Sequence, residues 1–259
     1  MDYYNSHESE PHVTDQSYQF PKFFVTAPTP CPYMEGREER KVFTDLAGAD
    51  ASELNEALGR VGFRRSQSVA YRPACEGCSA CISVRVLAQD FKMTRSMRRC
   101  WQKNKDLKVI PCDAYATDDQ YQILKAYLES RHERGGMANM DEFEYAEMVE
   151  SSPVASSLIE YRESPEDDDL LMPGKLVATA FTDILSDGLS MVYSFFDPEN
   201  KRDSLGTFMI LDHILRTRKT GLRYVYLGYW VQGSSKMSYK ARFQPQERLG
   251  SRGWKLFTS

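Results

Sequence analysis

Apolar and polar residues alternate along the chain with two periods, and this pattern predicts short strands and amphipathic helices. In the first part, Asp50 and Glu53 form a capping box before a short helix that carries Leu54 and Leu58. A basic helix is predicted within TRSMRRCWQKNKD. The strands predicted around these two helices are ERKVFTDL, SVAYR, CISVRVLA and LKVI.

The second part of the chain combines helices with longer strands. A capping box at Thr117 and Gln120 starts a helix that ends before Gly135-Gly136. DEFEYAEMVE predicts a further helix, and SLGTFMILDHILRTRK predicts a long one. The predicted strands are SSLIEYR, KLVATAFTDIL, LSMVYSFF and YVYLGYW, with SDG as a hairpin turn.

This order of elements predicts an α+β fold, because a group of antiparallel strands is followed by a long helix and another strand. The polar residues 1–18 predict a flexible N-terminus. A soft boundary near residues 113–117 divides the remainder into two regions. The N-terminal region, 19–114, carries the basic helix and a cysteine-rich stretch, and the C-terminal region covers 115–259.

The composition is that of an ordinary globular protein, with 259 residues and a formal net charge of −4. A nucleic-acid surface is therefore expected only as a local basic patch. No apolar run reaches the roughly 18 residues that span a bilayer, and MDYYNSHESEPHVTDQ lacks the features of a secretory signal. With six cysteines, we expect a cytoplasmic protein in a reducing compartment, without membrane association.

Three cysteines repeat at one spacing, C-x2-C-x2-C, at Cys75, Cys78 and Cys81. A fourth thiol would complete a zinc or iron–sulfur site; the candidates elsewhere in the chain are Cys31, Cys100 and Cys112. Against a metal, zinc sites usually combine two separated cysteine pairs, and no histidine is nearby in sequence. We therefore expect no cofactor and a structural role for the thiols, with a metal site as the alternative.

The basic helix concentrates positive charge on an acidic protein. Residues 92–108 include seven Lys or Arg and one acidic residue, Asp106. Helical spacing places Arg95, Arg98 and Arg99 near one side. Such a face suits a phosphate backbone, with Trp101 available for base stacking or core packing. The alternative is a solvated helix face without a ligand.

Residues 193–230 have the strand–loop–helix–strand order of acetyl-CoA-dependent N-acetyltransferases, in which amides at the helix N-terminus hold pyrophosphate. The loop there is usually R/Q-x-x-G-x-G/A. Counted from Arg202, this chain has Leu205 and Thr207 at the glycine positions, which argues against coenzyme A. A P-loop and a G-x-S-x-G elbow are both absent from the sequence.

Four blocks in order carry a family resemblance: CPYMEGREERKVFTDL, YRPACEGCSACISVRV, FKMTRSMRRCWQKNKDLKV and YLGYWVQGSSKMSYKARFQPQE. They resemble the aminoacyl-tRNA–protein transferases, and GREERKVF and KMSYKARF are more similar to the bacterial aspartate/glutamate leucyltransferases than to the arginyltransferases. The resemblance implies an N-acetyltransferase-like C-terminal region that uses aminoacyl-tRNA. It also implies transfer of leucine from Leu-tRNA to proteins with N-terminal Asp or Glu, which marks them for degradation.

In this reaction an amine attacks an ester carbonyl, and the oxyanion that forms needs hydrogen-bond donors. The expected catalytic residues are Tyr193, Tyr229 and Tyr239, with His132 as candidate base. The cations expected to bind the acceptor carboxylate are Arg72, Lys240 and Arg242. The residues expected to contact tRNA are Arg95, Arg98, Arg99 and Lys103.

Three other functions remain open: an arginyltransferase, a small-molecule N-acetyltransferase and a non-enzymatic RNA-binding module. Tight acetyl-CoA binding would support the second, and tRNA binding without transfer would support the third. We expect a monomer.

Overall fold

A mixed eight-stranded sheet forms the centre of the computed structural model, which describes residues 21–131, 137–164 and 174–257. The strands are β1 (Phe24–Val25), β2 (Thr29–Pro30), β3 (Glu38–Glu39), β4 (Lys41–Asp45), β5 (Arg64–Ser66), β6 (Val69–Pro73), β7 (Cys81–Leu87), β8 (Lys108–Asp113), β9 (Ser156–Arg162), β10 (Leu176–Leu185), β11 (Gly188–Phe196), β12 (Tyr224–Val231), β13 (Gln246–Gly250) and β14 (Gly253–Phe257). The helices are α1 (Ala51–Arg60), α2 (Arg95–Asn104), α3 (Asp118–Arg131), α4 (Glu142–Glu150), α5 (Leu205–Lys219) and a 3-10 helix, Ser235–Arg242.

The large sheet has the strand order β14-β13-β7-β12-β11-β10-β9-β8. Neighbouring strands are antiparallel except β11 and β12, which are parallel and are connected through α5. The predicted α+β class is confirmed. The predicted flexible N-terminus, 1–18, and the Gly135-Gly136 stop lie outside the described residues. Among the described helices, none is long and apolar enough to cross a membrane.

The parallel strands β11 and β12 separate soon after they begin. They pair only over residues 188–190 and 224–226, while β11 continues beside β10 and β12 beside β7. The register of β12 against β7 shifts between Tyr226 and Tyr229. Gly228 lies in this bulge with a φ of +76°, a conformation that glycine adopts without strain. An open gap therefore lies between the C-terminal halves of β11 and β12.

Helices cover both faces of the large sheet. α2 and α5 pack with Ile159 and Tyr161 in one core cluster, and α3 and α4 pack with Leu158 and Phe181 in another. Because consecutive strand residues such as 158 and 159 point to opposite faces, the two helix pairs lie on opposite sides of the sheet.

A second sheet, in the order β1-β4-β6-β5, packs with α1 around a small core of its own. It is joined to the large sheet by an ion pair between Arg65 on β5 and Asp183 on β10, with 2.8 Å between Nε and Oδ2. Both side chains are almost fully buried. The carboxylate also accepts a hydrogen bond from Ser156, so the junction is well satisfied.

Strand β7 belongs by sequence to the predicted N-terminal region, 19–114, but it lies between β13 and β12 in the large sheet. Helix α2 of the same region packs in one core with α5. Residues before the predicted boundary thus contribute a strand and a helix to the large sheet and its core. The division into two regions stays a prediction.

The predicted capping boxes form only in part. Asp50 makes no side-chain capping bond at α1. At α3, the Thr117 amide donates to Gln120 Oε1 over 3.1 Å, which is half of the expected box. A complete box, which the sequence analysis missed, begins α4 at Asp141 and Glu144.

Candidate functional site

The 3-10 helix brings two of the predicted site residues, Tyr239 and Lys240, to strand β12. Lys240 Nζ donates a hydrogen bond to the Tyr229 carbonyl oxygen over 2.8 Å, directly after the Gly228 bulge. Gln246 Nε2 holds the backbone of this helix by donating to the Lys240 carbonyl oxygen over 2.8 Å. The KMSYKARF block thus folds back onto the strand that borders the gap.

Lys240 is only 8 % exposed. Burial, assisted by the positive charge of Arg64, lowers the pKa of Lys240 to about 7. No acidic group among the described residues contributes to this balance. Lys240, which was predicted to bind the acceptor carboxylate, is thus a buried amine that is partly neutral near pH 7.

Tyr229 does not present its hydroxyl to the gap. The hydroxyl donates to the Gly62 carbonyl oxygen over 2.8 Å and lies 3.2 Å from the Tyr71 carbonyl oxygen. Burial raises its pKa well above the ordinary value. Its side chain therefore fastens β12 to the small sheet, and only its carbonyl group faces Lys240.

Tyr193 and Tyr239 remain suitable as donors. Burial and then the nearby Tyr127 hydroxyl raise the pKa of both residues, so that both are protonated at neutral pH. Tyr239 is nevertheless 42 % exposed, so part of its side chain remains accessible to solvent. Neither hydroxyl has a hydrogen-bond partner in the described part of the chain.

Helix α3 contributes an aromatic wall beside β11 that the sequence pattern did not predict. The ring of Tyr127 lies 5.1 Å from that of Phe196, and the Arg131 guanidinium lies 5.6 Å from the centre of the Phe196 ring. No sequence motif marks Tyr127, which is one of several apolar positions on its helix. The predicted base, His132, lies outside the described residues.

The other two predicted acceptor-binding cations lie apart from each other. Arg72 is exposed and donates through Nη1 to the Val61 carbonyl oxygen over 3.2 Å; its charge acts on Tyr229. Arg242 is exposed at the end of the 3-10 helix, where its charge acts on Cys100 of α2. The structure thus gives the three predicted cations three different environments.

The basic face of α2 is exposed as predicted from its spacing. Arg95, Arg98, Arg99 and Lys103 are all exposed, while Met97 lies on the buried side. Lys103 forms an ion pair with Asp203, and Arg98 Nη1 donates to the Met93 carbonyl oxygen over 2.7 Å. Arg95 and Arg99 have no ion-pair partner among the described residues.

Trp101 packs into the core, with its ring centre 5.0 Å from that of Phe208. Of the two roles considered for it, the structure therefore supports core packing.

The loop before α5 is closed by side chains. Arg202 forms two hydrogen bonds with the Asp106 carboxylate, of 2.9 and 2.6 Å, and Leu205 is 2 % exposed. Ser204 adopts a left-handed conformation with a φ of 62°. Where a pyrophosphate loop needs glycines and open amides, this chain has a buried leucine and an ion pair.

Four cysteines meet in one cavity of about 80 Å³. It is lined by Cys31, Cys75, Cys78 and Cys81 together with Tyr229. Burial, then the neighbouring Cys75, Cys31 and Cys78, raise the pKa of Cys81 to about 11. Of the proposed fourth thiols, Cys31 is therefore the one beside the motif.

The four thiols supply ligand atoms of the type that a metal site uses, and a metal site here stays the alternative to a structural role. Four sulfurs have the right chemistry for zinc or an iron–sulfur cluster. Among the described residues, however, no group of three His, Cys, Asp or Glu has the geometry to hold an ion.

Comparison with known proteins gives consistent matches. The family model described as "Arginine-tRNA-protein transferase, N terminus" matches residues 29–99, and the corresponding C-terminal model matches residues 119–250. An aspartate/glutamate leucyltransferase from Sphingopyxis alaskensis is 57 % identical over 93 % of each chain. One from Brucella ovis is 55 % identical over 95 % of this chain and 99 % of its own.

Similarity to solved structures is weaker. The C-terminal domain of a putative lysylphosphatidylglycerol synthetase from Agrobacterium fabrum aligns with a TM-score of 0.44 and 14 % identity. The alignment covers 63 % of this chain and 50 % of the other. A match at this level supports no functional argument.

Proposed function

Since the chain belongs to the family of aminoacyl-tRNA–protein transferases, we propose that it transfers leucine from Leu-tRNA to the N-terminal Asp or Glu of acceptor proteins. The observation that carries this proposal is the 57 % identity, over 93 % of the chain, to a protein named aspartate/glutamate leucyltransferase. The modification marks the acceptor for degradation, and the enzyme acts as a cytoplasmic monomer.

The gap between β11 and β12 is the proposed reaction site. The acceptor's α-amine has an ordinary pKa of about 7.7–8.0, so that a usable fraction is neutral at physiological pH. It attacks the ester carbonyl carbon and the C–N bond forms. The tRNA 3′ oxygen leaves with the electrons of the C–O bond and takes up the proton that the amine nitrogen loses. The free hydroxyls of Tyr193 and Tyr239 are the proposed donors to the oxyanion, and His132 remains the candidate base.

The environment of this gap supports leucine over arginine as the transferred group. Tyr127, Tyr193 and Phe196 offer apolar surface, and Arg131 adds a positive charge beside Phe196. An arginyl group would bring a second cation to this wall. Two like charges close together repel each other, and none of these four residues carries a carboxylate that would balance them.

We propose that the exposed cations of α2, namely Arg95, Arg98, Arg99 and Lys103, bind the tRNA backbone. This face is supported by its exposure and by the absence of ion-pair partners for Arg95 and Arg99 among the described residues. The structure of the loop before α5 supports no competing role in coenzyme A binding.

The proposal is tested by a transfer assay with the purified chain, charged tRNA and short peptides. Leucine from Leu-tRNA is expected on peptides that begin with Asp or Glu, with poor reaction at Asn and Lys. Arg-tRNA is the matched donor control. Preference for Arg-tRNA would assign the arginyl reaction instead, and acetyl transfer from acetyl-CoA would assign an N-acetyltransferase. Tight tRNA binding without any transfer would indicate an RNA-binding module.

The catalytic assignment is tested with Tyr193→Phe, which removes only the hydroxyl. Loss of one oxyanion donor lowers kcat by roughly 100- to 1,000-fold. Tyr121→Phe is the matched control, because the Tyr121 hydroxyl already donates to the Met140 carbonyl oxygen. Equal activity of the two variants would remove Tyr193 from the mechanism.

A further inference from the structure

Two buried cations stand out because they lack an acidic partner. Arg64 and Lys240 are each 8 % exposed. The other buried arginines are compensated: Arg65 pairs with Asp183, Arg85 with Glu247, and Arg162 with Glu160 and Asp119. Among the described residues, no corresponding ion pair involves Arg64 or Lys240.

Arg64 keeps most of its hydrogen-bond donors unused. Its Nη2 lies 3.4 Å from the Val84 carbonyl oxygen, and its Nε has no partner in the described chain. The guanidinium lies over the Tyr226 ring, 5.1 Å from its centre. A planar cation held against an aromatic ring with free N–H groups is suited to a carboxylate.

Carboxylates do lie near Arg64, but each is engaged elsewhere. Arg64 lines a small cavity together with Glu56, Asp183 and Asp187. Asp183 bonds Arg65, Asp187 accepts from the Tyr226 hydroxyl over 3.0 Å, and Glu56 accepts from the Ser186 amide over 2.8 Å. Among the described residues, none of these three carboxylates therefore forms a direct ion pair with Arg64.

Lys240 is the second buried cation of the pair. Within the described residues its Nζ makes one hydrogen bond, to the Tyr229 carbonyl oxygen, so an ammonium group has two protons left for a ligand. Arg64 and Lys240 interact electrostatically, since the Arg64 charge helps to lower the pKa of Lys240. Both side chains contact the stretch of β12 from Tyr226 to Tyr229, which borders the gap.

Burying two cations near each other without a direct ion-pair partner is unfavourable, because both lose hydration and they repel each other. A bound anion would reverse this balance. We propose that Arg64, together with Lys240, binds the side-chain carboxylate of the acceptor's first residue. This inference rests on the proposed function and adds Arg64 as a specificity-determining residue that the sequence analysis did not identify.

The test compares kcat/KM for peptides that begin with Asp and Asn in wild type and in Arg64→Gln. A charge-assisted hydrogen bond to arginine corresponds to about 10- to 100-fold preference for Asp, and the variant is expected to lose it. Arg64→Lys should restore part of the preference. Arg60→Gln is the matched control, because Arg60 lines the same small cavity but is exposed on α1.

Two further measurements separate this proposal from a structural role and from the proposed function. Arg64→Gln is expected to retain or raise the Tm, since it removes an uncompensated buried charge. Binding of the Asp peptide by calorimetry, without tRNA, should weaken in Arg64→Gln to the level of the Asn peptide.

An unchanged Asp preference in folded Arg64→Gln overturns the inference, as does collapse of the preference in Arg72→Gln alone. Weaker Leu-tRNA binding by Arg64→Gln, with the Asp preference intact, would assign the cation to an RNA phosphate. Absence of leucine transfer by wild type would instead refute the proposed function, and the peptide-binding measurement still decides whether Arg64 binds a carboxylate.

Discussion

Replacing Arg95 and Arg99 by Gln is expected to weaken tRNA binding and to reduce its salt dependence. These two residues are chosen because they are exposed and lack ion-pair partners among the described residues, whereas Lys103 must first leave Asp203. Each phosphate contact contributes roughly 0.7–0.9 to the slope of log K against log salt. The double variant should therefore lose roughly 1.4–1.8 from that slope.

The change in the salt slope corresponds to a measurable difference in tRNA affinity between variant and wild type. Over a fourfold rise in salt, two lost contacts change the ratio of variant to wild-type Kd by roughly 7- to 12-fold. Fluorescence titration of tRNA between 50 and 200 mM salt, the range over which such losses are typically seen, gives both slopes. A variant with Gln at Lys219 and Arg252 removes the same net charge from exposed positions outside α2.

The slope of the control should remain close to that of wild type. An unaltered slope in the folded Arg95 and Arg99 variant would place the tRNA on another surface. Equal losses in both double variants would show that net charge, rather than a defined face, determines binding.

Further predictions concern stability and the thiols. Lys240→Met should make the free energy of unfolding less dependent on pH. The pKa of Lys240 in the folded protein, about 7, lies below its value in the unfolded chain. Wild type should therefore gain stability relative to the variant as pH rises above 7, by at most about 1.4 kcal/mol per pH unit. Urea unfolding at pH 6 to 9 measures this difference, and a constant difference would contradict it. Asp183→Asn should destabilise the fold by about 3–5 kcal/mol, because it leaves Arg65 buried without its partner; a loss below 1 kcal/mol in urea unfolding would contradict this. Anaerobic purification followed by elemental analysis should find little iron or zinc, and near-stoichiometric metal that disappears with Ser at Cys75, Cys78 and Cys81 would contradict the structural role of these thiols.

The local pattern of apolar and polar residues was sufficient to predict these helices and strands, but not how the strands are arranged in the sheet. KLVATAFTDIL and LSMVYSFF are long apolar runs on either side of a turn, a pattern that favours the two strands of a hairpin. In the structure they form β10 and β11. The position of β7 between β12 and β13 depends on pairing with strands more than 100 residues later. A hydrophobic pattern specifies that a strand is buried, but not which strands become its neighbours.

The candidate site shows the same limit at the level of single residues. Arg64 and Arg65 are adjacent in sequence and both buried, yet Arg65 pairs with Asp183, while Arg64 has no acidic partner in the part of the chain that the structure describes. Nothing in the local sequence distinguishes them, because the difference depends on which groups fold opposite each side chain. Likewise, the sequence offered Cys31, Cys100 and Cys112 equally, and only the fold brings Cys31 to the other three thiols.

The central position of β7 has a consequence for synthesis on the ribosome. Its two partners in the large sheet, β12 and β13, begin at residues 224 and 246, whereas β7 ends at residue 87. At about 5–20 residues per second, roughly 7 to 27 s pass between synthesis of the end of β7 and synthesis of the start of β12. During that interval its backbone N–H and C=O groups remain unpaired on both edges, as at an exposed sheet edge. The nascent chain thus offers a defined time window in which a chaperone that shields extended segments would improve its yield.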